Sequence, residues 1–570
     1  MVNLKINGIS VSVPEGSTIL QAAKIANVNI PTLCYLKDVQ CVGSCRMCLV
    51  EATGARGLVT ACTHPVSEGM EVKTMSSAIR KSRKTTIELI LSTHKKKCLS
   101  CVRSTSCELQ KLALEYDADE DRFGTDYEDK VDDLSPSIVR DNGKCVMCTR
   151  CVAACAKQSI GVIGPQNRGY AKVIGSPFGV SLADTACVNC GQCVVACPVG
   201  ALHEKINVVD IWNAVLDPEK QVVFYTAPSV RATLGEAFGL PIGTNVEGKM
   251  VSAIKLLGDI KCFNMDLTAD LTIMEEATEL LERIQTGGTL PMFTSCCPGW
   301  VKFAEHYYPE LLPNLSTCKS PQEMFSAVLK TYYCEKNGID PKNLYVVSVI
   351  PCTAKKFEVT RDELGHYTDA AITTRELAKT IMQAGIDFVN LPDSEFDKPF
   401  GEASGAGAIF GATGGVMEAA LRTAAAKLGG EGAPLEFKEV RGTAGIKEAE
   451  YNVGGKTLKV AVASGLGNAR QVIEDIKSGK KDYSFVEIMA CPGGCINGGG
   501  QPYVHDEIRN YTNLKATRAQ ALYNYDNNSK LRTSHENPAV DILYKEYFEK
   551  PSSHKAHKLL HTSYRARKKY

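Results

Sequence analysis

The pattern of hydrophobic and polar positions divides the chain into two parts. After about residue 208, short apolar runs alternate with amphipathic segments of helical period. Runs that predict buried strands lie at 221–226, 344–350, 458–463 and 484–489, and helical patterns between them include 272–286 and 467–478. Strands that alternate with helices in this way predict an α/β fold with largely parallel sheets.

The first part of the chain has shorter periods and more strand signals. Residues 2–13 alternate apolar and polar side chains, which predicts a strand pair, and a helical pattern follows near 17–26. Further strand signals lie near 48–53 and 57–61. Short strands around one helix predict a small β-rich domain at this end.

Composition narrows the possible function classes. The chain has 570 residues, which predicts three or more folding units. Its 65 lysines and arginines nearly balance 64 aspartates and glutamates, so the charge does not favour nucleic acid or an anionic membrane as partner. No apolar run approaches the roughly 18 residues that a membrane span needs. The N-terminal segment also lacks the basic start and apolar block of a secretory signal, so we expect a cytoplasmic protein.

Cysteine changes this picture more than any other residue type. The chain contains 24 cysteines, and most of them are clustered at short spacings. In a long chain without an export signal, such clustering favours metal sites over disulfides.

The first cysteine group has the spacing C-x10-C-x2-C-x13-C and consists of Cys34, Cys45, Cys48 and Cys62. Each iron of a 2Fe-2S cluster needs two thiolates, and a C-x2-C loop flanked by two distant cysteines can supply all four. The pattern resembles the plant-type ferredoxin fold in its longer-spaced form, and this resemblance selects Cys34. Cys41, in the same loop, is a rival ligand, and zinc is the alternative metal.

The second group combines histidine with cysteine. It has the spacing H-x3-C-x2-C-x5-C and consists of His94, Cys98, Cys101 and Cys107. Three thiolates are one short of the four that a 4Fe-4S cubane needs, and a histidine stands where the fourth would be. Neutral imidazole makes a cluster less negative, so we expect a raised reduction potential.

The third group is an internal repeat of C-x2-C-x2-C-x3-C, typical of a bacterial two-cluster ferredoxin. The first run consists of Cys145, Cys148, Cys151 and Cys155, and the second of Cys187, Cys190, Cys193 and Cys197. In that pattern the fourth cysteine of each run binds the other run's cluster. We therefore group Cys197 with the first three cysteines of the first run and Cys155 with those of the second. Ala156 departs from the usual proline after the fourth cysteine, whereas Pro198 follows it.

A further set of isolated cysteines lies in the α/β part, beside predicted strands: Cys297, Cys352, Cys491 and Cys495. Sites form at the carboxyl ends of strands in open α/β sheets, and four thiolates suffice for one cubane. The glycines of CPGGCINGGG would allow the backbone to approach a bulky inorganic group. A nucleotide substrate is unsupported, because neither phosphate-binding glycine motif is present in a fitting context.

Three segments in this part resemble the signature segments of iron-iron hydrogenases. They are TSCCPGW (294–300), IPCTAKKFE (350–358) and MACPGGCINGGGQP (489–502). The N-terminal cysteine groups resemble the wiring of the large monomeric, ferredoxin-dependent type from anaerobic bacteria. The resemblance implies an H-cluster, which is a 4Fe-4S cubane joined through one cysteine sulfur to a di-iron unit with carbonyl, cyanide and azadithiolate ligands. The matching positions imply that the four isolated cysteines hold the cubane and that Cys495 bridges to the di-iron unit.

The same resemblance implies a proton relay. Cys296 would carry protons to and from the azadithiolate amine, because a thiol can donate and accept at modest cost. Glu276, Ser316 and Glu279 would continue the relay, with Arg283 near the exit. Positions 276, 279 and 283 share one face of a predicted helix, a pattern that without the family would indicate a solvated face.

The resemblance also implies how the pocket contacts the di-iron unit. Cofactor-binding positions implied by the match are Ala227, Pro228, Ser229, Gln322, Lys355, Phe410 and Met489. Ser229, Lys355 and Gln322 would donate hydrogen bonds to cyanide. Ile350 stands where the family usually has methionine, an apolar substitution of similar volume. Cys262, Cys318 and Cys334 receive no role.

The expected fold is multidomain, α+β followed by α/β. A plant-type ferredoxin-like (β-grasp) domain would span 1–77, a small His/Cys cluster domain 78–120 and a bacterial two-cluster ferredoxin domain 136–207. A two-lobed catalytic domain with mostly parallel sheets would span 208–570. The basic C-terminal end, HKAHKLLHTSYRARKKY, predicts a solvated tail.

The expected function is reversible reduction of protons to hydrogen, with electrons from ferredoxin or flavodoxin relayed through one 2Fe-2S and three 4Fe-4S accessory clusters. Maturation proteins would deliver the di-iron unit, and the chain would act as a monomer. The alternatives are a hydrogen sensor of the same fold, an iron–sulfur assembly protein without a di-iron unit, and a subunit of an NAD-linked bifurcating complex. The presence of Cys296 argues against the sensor, and the relay and cyanide-donor positions argue against the assembly protein.

Overall fold

The computed structural model describes residues 1–429, 434–453 and 456–569. Its architecture confirms the predicted class: small ferredoxin-like units come first, and an α/β region with mostly parallel sheets follows. Within the described residues, we find no helix with the length and apolarity needed to cross a membrane.

The N-terminal unit is a five-stranded sheet in the order β2-β1-β5-β3-β4. Its strands are β1 (Val2–Ile6), β2 (Ile9–Val13), β3 (Leu49–Ala52), β4 (Val59–Thr60) and β5 (Glu71–Lys73). Helix α1 (Ile19–Ile25) begins at Thr18, where Thr18 and Gln21 form a capping box. The alternation predicted over 2–13 turns Leu4 and Val11 into the core.

Two helices connect this sheet to the next unit, α2 (Ser77–Leu91) and α3 (Glu108–Glu115). Buried Arg83 of α2 forms hydrogen bonds both to the sheet and to the end of α3. It donates to the Leu49 carbonyl at 2.7 Å and to the Tyr116 hydroxyl at 2.9 Å. Each bond satisfies a polar group that would be costly to leave unpaired in the interior.

The internal sequence repeat folds as a structural repeat. Its elements are β6 (Val131–Asp132), β7 (Ile138–Asp141), α4 (Arg150–Lys157), β8 (Gly164–Gln166), β9 (Val173–Gly175), α5 (Gln192–Ala196) and β10 (Leu202–Glu204). The residues that precede α4 and α5, Thr149 and Gly191, both adopt the left-handed conformation. Met147 and Asn189 also share a positive φ at the same place in each run. The same spacing of cysteines therefore produces the same local loop twice.

The α/β region contains two four-stranded sheets. The first, in the order β12-β11-β14-β15, consists of β11 (Gln221–Thr226), β12 (Ile260–Asn264), β14 (Leu344–Ile350) and β15 (Ala370–Thr373). The second, in the order β13-β18-β17-β16, consists of β13 (Met292–Phe293), β16 (Ile446–Val453), β17 (Lys456–Ser464) and β18 (Phe485–Met489). All pairings in both sheets are parallel except that of β16 with β17.

Helices cover these sheets and carry residues of the site. They are α6 (Val208–Leu216), α7 (Pro228–Arg231), α8 (Glu247–Lys255), α9 (Asp266–Thr286), α10 (Pro298–Tyr307), α11 (Pro321–Val328), α12 (Cys334–Asn337), α13 (Ala354–Glu358), α14 (Thr374–Gln383), α15 (Gly405–Ala408), α16 (Gly415–Gly429), α17 (Leu466–Lys477), α18 (Asp506–Arg509), α19 (Leu514–Asn528), α20 (Pro538–Leu543) and α21 (His554–Leu560). The long helix α9 packs against α11, α15 and α16, and more than half of its residues are buried.

The C-terminal segment differs from its prediction as a solvated tail. The Thr562 N–H donates to the Thr317 carbonyl at 2.7 Å, and the Tyr564 hydroxyl donates to the Ser316 carbonyl at 2.5 Å. Arg567 donates to the Glu305 carboxylate at 2.5 Å. The solvated-tail prediction was wrong because charge pattern alone does not reveal acceptors that distant segments bring to the tail.

Candidate active site and cluster-binding sites

Four cysteines from three separate segments meet at the junction of the two α/β sheets. Cys297, Cys352, Cys491 and Cys495 line one small cavity, as does Cys190 of the second ferredoxin run. Cys352 follows β14, Cys491 follows β18, and Cys297 immediately precedes α10. The structure thus brings together the four ligands that the resemblance implied for a cubane.

Burial leaves these thiols without solvent or a disulfide partner. Burial raises the pKa of Cys352 to about 12, and burial also raises the pKa of Cys297. No cysteine of the described chain forms a disulfide. Thiols packed in this way become thiolates when a soft metal neutralises their charge, so the donor set fits an iron–sulfur cubane.

The glycines of CPGGCINGGG allow close packing against other backbone segments, in addition to the predicted approach to an inorganic group. A Cβ on Gly498 would lie 2.2 Å from the Pro351 carbonyl oxygen, and one on Gly499 would lie 2.6 Å from Gly191 Cα. Gly494 has a φ of +97°, and its Cβ would lie 2.6 Å from the Thr413 nitrogen. These glycines therefore let three other backbone segments approach the segment that carries Cys491 and Cys495.

A second cavity, of about 80 Å³, adjoins the first and is lined almost entirely by apolar atoms. Cys297, Cys352 and Cys495 line both cavities. The predicted pocket residues that line it are Ala227, Pro228, Ser229, Cys296, Gln322, Lys355, Phe410 and Met489. Ile350, which replaces the family's usual methionine, lies in the same wall. The structure thus brings the predicted pocket residues together beside Cys495.

The residues predicted to donate hydrogen bonds to cyanide differ in whether they already have hydrogen-bond partners within the protein. The Ser229 hydroxyl is fully buried and has no hydrogen-bond partner among the described residues. Lys355 Nζ donates to the Glu358 carboxylate at 2.8 Å and to the Cys296 carbonyl at 3.1 Å. The Gln322 amide donates to Glu358 at 3.1 Å. An orphaned buried hydroxyl in an apolar wall fits a polar ligand that the cavity would hold.

Glu358 is a site residue that sequence reasoning missed. It accepts hydrogen bonds from Lys355, Gln322 and, at 2.9 Å, the Ser320 hydroxyl. It stands three residues after Lys355 in IPCTAKKFE, on one face of α13. That i, i+3 spacing was the available signal, because such residues are neighbours on a helix.

The predicted relay residues occupy neighbouring positions. Cys296 interacts electrostatically with Glu276, and Glu276 with Glu279. The Ser316 hydroxyl donates to Glu279 Oε2 at 2.9 Å, and Arg283 Nη2 donates to Glu279 Oε1 at 2.6 Å. The structure therefore brings the predicted relay residues together, and their role in carrying protons stays a prediction.

Glu276 and Glu279 differ in their surroundings. Neither oxygen of buried Glu276 has a hydrogen-bond partner among the described residues. Burial, helped by the nearby Glu279 carboxylate, raises the pKa of Glu276 to about 8. Glu279 instead accepts from Arg283, from Ser316 and, at 3.0 Å, from the Thr317 N–H. The raised pKa of Glu276 favours its protonated form, and burial also raises the pKa of Cys296 well above its usual value.

The first ferredoxin run forms a cavity with the last cysteine of the second run. Cys145, Cys148, Cys151 and Cys197 line it together. Cys155 instead lies within electrostatic range of Cys187, Cys190 and Cys193. This is the crossed grouping that the repeat predicted. Cys190 also lies against Cys491, whose thiol is 3.8 Å from the Cys190 carbonyl oxygen.

The surroundings of His94, in the second group, suit a neutral imidazole that could bind a metal. His94 is buried, and its Nδ1 has no hydrogen-bond partner among the described residues. Burial lowers the pKa of His94 to about 4. Cys98 is exposed, and both Cys98 and His94 lie within electrostatic range of Lys144. Cys101 lies within the same range of Cys98 and Cys107.

The N-terminal cysteines pair in the way a 2Fe-2S cluster requires. Cys48 Sγ lies 3.4 Å from Cys62 Sγ, and the thiols of Cys34 and Cys45 are in contact. Cys41 is exposed, and its thiol donates to the Cys62 carbonyl at 2.7 Å. This arrangement favours Cys34 over Cys41 as the fourth ligand.

Several known families match successive parts of the chain. They are a 2Fe-2S iron-sulfur cluster binding domain at residues 1–77, an NADH-ubiquinone oxidoreductase-G iron-sulfur binding region at 83–122, a 4Fe-4S dicluster domain at 144–201, the C-terminal domain of the iron only hydrogenase large subunit at 220–499, and the iron hydrogenase small subunit at 512–567. The order follows the cysteine groups from the N-terminus to the catalytic half.

Similar proteins extend this finding over the full length. The NADP-reducing hydrogenase subunit HndD of Solidesulfovibrio fructosivorans is 47% identical, over 99% of both chains. Iron hydrogenase 1 of Clostridium pasteurianum is 46% identical, over 99% of this chain and 100% of its own. The structure of an apo [FeFe]-hydrogenase HydA1 variant from Chlamydomonas reinhardtii covers 64% of this chain and 99% of its own, with 42% identity and a TM-score of 0.57. On these matches, together with the cysteine-lined cavities, the chain belongs to the iron-only hydrogenase family.

Proposed function

We propose that this chain catalyses the reversible reduction of protons to hydrogen, with electrons supplied by a small redox protein such as ferredoxin or flavodoxin. The observation that carries the proposal is the pair of adjoining cavities. One is lined by Cys190 and by the four isolated cysteines of the α/β region, and the other is apolar and contains one further thiol, Cys296, beside buried Glu276. Similarity to Iron hydrogenase 1, a relative covered over its full length, supports the same proposal.

We propose separate roles for the residues that line the two cavities. Cys297, Cys352, Cys491 and Cys495 would hold the cubane of an H-cluster, with Cys495 bridging to a di-iron unit in the apolar cavity. When bound, this cofactor supplies the redox chemistry that joins electrons and protons. The apolar wall keeps water away, and Ser229 and Lys355 would orient the unit by hydrogen bonds.

Proton movement is assigned to side chains that can hold a proton at stated atoms. Cys296 would hold it at Sγ, Glu276 at a carboxyl oxygen, and the Ser316 hydroxyl would pass it to Glu279 Oε2, which lies 2.9 Å away. Arg283 keeps Glu279 oriented near the surface. Buried carboxyl and thiol groups suit this role because their raised pKa keeps the proton bound until it is drawn inward.

We assign electron supply to the accessory cysteine groups of three domains, at 1–77, 78–120 and 136–207, and catalysis to a fourth domain at 208–570. We infer one 2Fe-2S cluster and three 4Fe-4S clusters, one of them with His94 as a ligand. The contact between Cys190 and Cys491 provides a short connection from the second ferredoxin cluster to the catalytic cubane. The absence of disulfides among the described residues favours a reducing compartment such as the cytoplasm.

A second candidate is a subunit of a complex that exchanges electrons with NADP. It is favoured by the similarity to the NADP-reducing hydrogenase subunit over 99% of both chains. In that case the same catalytic cavity would serve a different electron donor, delivered by a further subunit. The two candidates differ in whether the isolated chain accepts electrons from ferredoxin.

The test uses chain matured anaerobically with its maturation proteins and isolated as the monomer that we propose. Reduced ferredoxin or flavodoxin should drive hydrogen evolution, and iron analysis should approach about 20 irons per chain if all proposed clusters are present. NADPH alone should be inactive. Hydrogen evolution with a viologen but with neither protein donor would favour the complex. A fully iron-loaded chain that evolves no hydrogen with any donor would overturn the proposed activity.

A further inference from the structure

Three buried or nearly buried side chains of different chemistry converge beside the proposed relay. Ligand atoms of Glu279, Cys318 and His561 all lie within 4.8 Å of one another. Cys318 and His561 are 1% and 6% exposed, and the Glu279 side chain is 12% exposed. They come from helix α9, from the segment before α11 and from the end that follows α21.

Backbone pairing holds two of the three side by side. Cys318 and His561 form an isolated antiparallel β-bridge. On either side, the Lys319 N–H donates to the Leu560 carbonyl at 2.8 Å and the Thr562 N–H donates to the Thr317 carbonyl at 2.7 Å. The relative position of the thiol and the imidazole is thus fixed by the main chain.

A carboxylate outside the trio fixes the histidine tautomer. His561 Nε2 lies 3.1 Å from Glu275 Oε2. Glu275 is fully buried and accepts from the Tyr544 hydroxyl at 2.5 Å and from the Ser552 N–H at 2.8 Å. A carboxylate in this position favours the proton on Nε2, so Nδ1 is an acceptor, and a metal ion would replace the Thr317 hydroxyl that now donates to it. Nδ1 lies 2.8 Å from the Thr317 hydroxyl, whose own N–H donates to Glu279.

We propose that Glu279, Cys318 and His561 form a binding site for one Zn²⁺ ion, and that its occupancy stops proton supply to the active site. Thiolate, imidazole and carboxylate are the ligands that zinc prefers, and water would complete the tetrahedron. Binding releases the Cys318 thiol proton to solvent. The site itself stands on the geometry alone, whereas its effect on turnover rests on the proposed relay through Glu279.

Charge and access are compatible with a divalent cation. A Cys318 thiolate together with Glu279 and Glu275 gives three negative charges against the one positive charge of Arg283. If Arg283 releases Glu279, it keeps its bonds to main-chain carbonyls, among them that of Leu315 at 2.8 Å. Exposed His557 stacks on His561 at 4.2 Å between ring centroids, so the site lies directly beneath the surface.

The experiment adds Zn²⁺ to the anaerobically matured holoenzyme. X-ray absorption and calorimetry report binding, and hydrogen evolution from a reduced viologen reports turnover. We expect one zinc ion per chain with mixed sulfur and nitrogen or oxygen ligands, and loss of at least nine-tenths of turnover. Carbonyl and cyanide infrared bands should stay unchanged, and a chelator should restore turnover. Loss of those bands together with turnover would mean cluster damage and would overturn the proposal.

Matched variants separate this site from other thiols. Cys318→Ser and His561→Gln should each lose tight zinc binding, and Glu275→Gln should weaken it by about 10–100-fold, because the carboxylate acts through the histidine. Cys334→Ser is the control, since Cys334 is equally buried but lies beside Lys330 and Asp340. Zinc binding that survives Cys318→Ser, or that fails in the unmodified chain, would overturn the site.

Two measurements distinguish an incorrect relay proposal from an incorrect zinc-site proposal. Zinc that binds with Cys318-dependent affinity but leaves turnover unchanged would contradict the block on proton supply. Glu279→Gln, measured without zinc, then reports on the relay. Slow turnover in that variant supports the relay, and normal turnover means that the proposed relay is wrong while the zinc site stands.

Discussion

The two-cluster ferredoxin region and the catalytic pocket both surround iron–sulfur positions with buried cysteines, but they assemble in different ways. In the ferredoxin region, each group of cysteines takes three members from one short run and a fourth from its repeat, as with Cys145, Cys148, Cys151 and Cys197. In the catalytic pocket, three separate segments contribute, and none supplies more than two ligands. Local spacing therefore encodes the first arrangement, whereas the second exists only once both α/β sheets have formed.

The two regions also differ in what surrounds the thiols. The ferredoxin cavity is lined by cysteines, apolar residues and the polar Arg140, Asn142 and Thr149, with no carboxyl group among its lining residues. The catalytic pocket adjoins Cys296 and a buried carboxyl, Glu276, whose pKa burial raises to about 8. Electron transfer needs only a cluster, whereas proton reduction also needs a path for protons, which the buried thiol and carboxyl beside the catalytic cavity would provide.

The largest effect should come from removing a ligand of the catalytic cubane. Cys297→Ala should abolish hydrogen turnover and the carbonyl and cyanide infrared bands, because the cubane that anchors the di-iron unit is lost. Cys145→Ala is the matched change in the ferredoxin region. It should keep the infrared bands while ferredoxin-driven turnover falls. Equal loss of bands in both variants would remove the distinction between the two regions.

The next largest effect should come from the neighbouring thiol. Cys296→Ala removes the proposed proton carrier but none of the proposed ligands, so infrared bands should remain near normal while turnover falls by about 100–10,000-fold, the usual range for a lost acid–base group. Cys296→Ser should be equally poor, because a hydroxyl is far less acidic than a thiol. Cys296→Asp should retain part of the activity. Full turnover in Cys296→Ala would show that this thiol only fills space.

A smaller and graded effect should follow from pH. Burial raises the pKa of Glu276 to about 8, so the folded protein holds this proton more tightly than the unfolded chain does. The stability that the bound proton contributes is present at low pH and is lost as pH rises through about 8. Infrared difference spectra should show a protonated carboxyl band that disappears with a midpoint near 8, together with falling turnover. The band should be missing in Glu276→Gln, and its absence from the unmodified protein at pH 6 would contradict this assignment.

The smallest effect should be on one accessory potential. His94→Cys replaces a neutral ligand with a thiolate and should lower the potential of that cluster by an amount on the order of 100 mV, judged from the effect of histidine ligands in Rieske centres. Redox titration followed by electron paramagnetic resonance measures the change. His554→Cys, at an exposed histidine distant in sequence from every cysteine group, is the control. If all potentials stay in place, His94 is not a ligand.

The sequence predicted the fold class, the strands at 221–226 and 344–350 with their observed bounds, and the crossed grouping of the ferredoxin cysteines. These depend on periodicity and short spacing, which are local properties. It did not predict that Glu358 anchors Lys355, or that the C-terminal segment pairs with Cys318. Both depend on which segments meet in space. Main-chain pairing between residues more than two hundred positions apart leaves no periodic signal in either segment.

The central claim is that the apolar cavity beside Cys495 holds a di-iron unit with carbonyl and cyanide ligands, with Cys296 serving it as proton carrier. Infrared spectra and hydrogen turnover, recorded on the same samples of matured wild-type and Cys296→Ala protein, test it most directly. We expect carbonyl and cyanide bands in both proteins and fast turnover only in the wild type. Iron-loaded wild-type protein without these bands, or bands with equal turnover in both proteins, would contradict it.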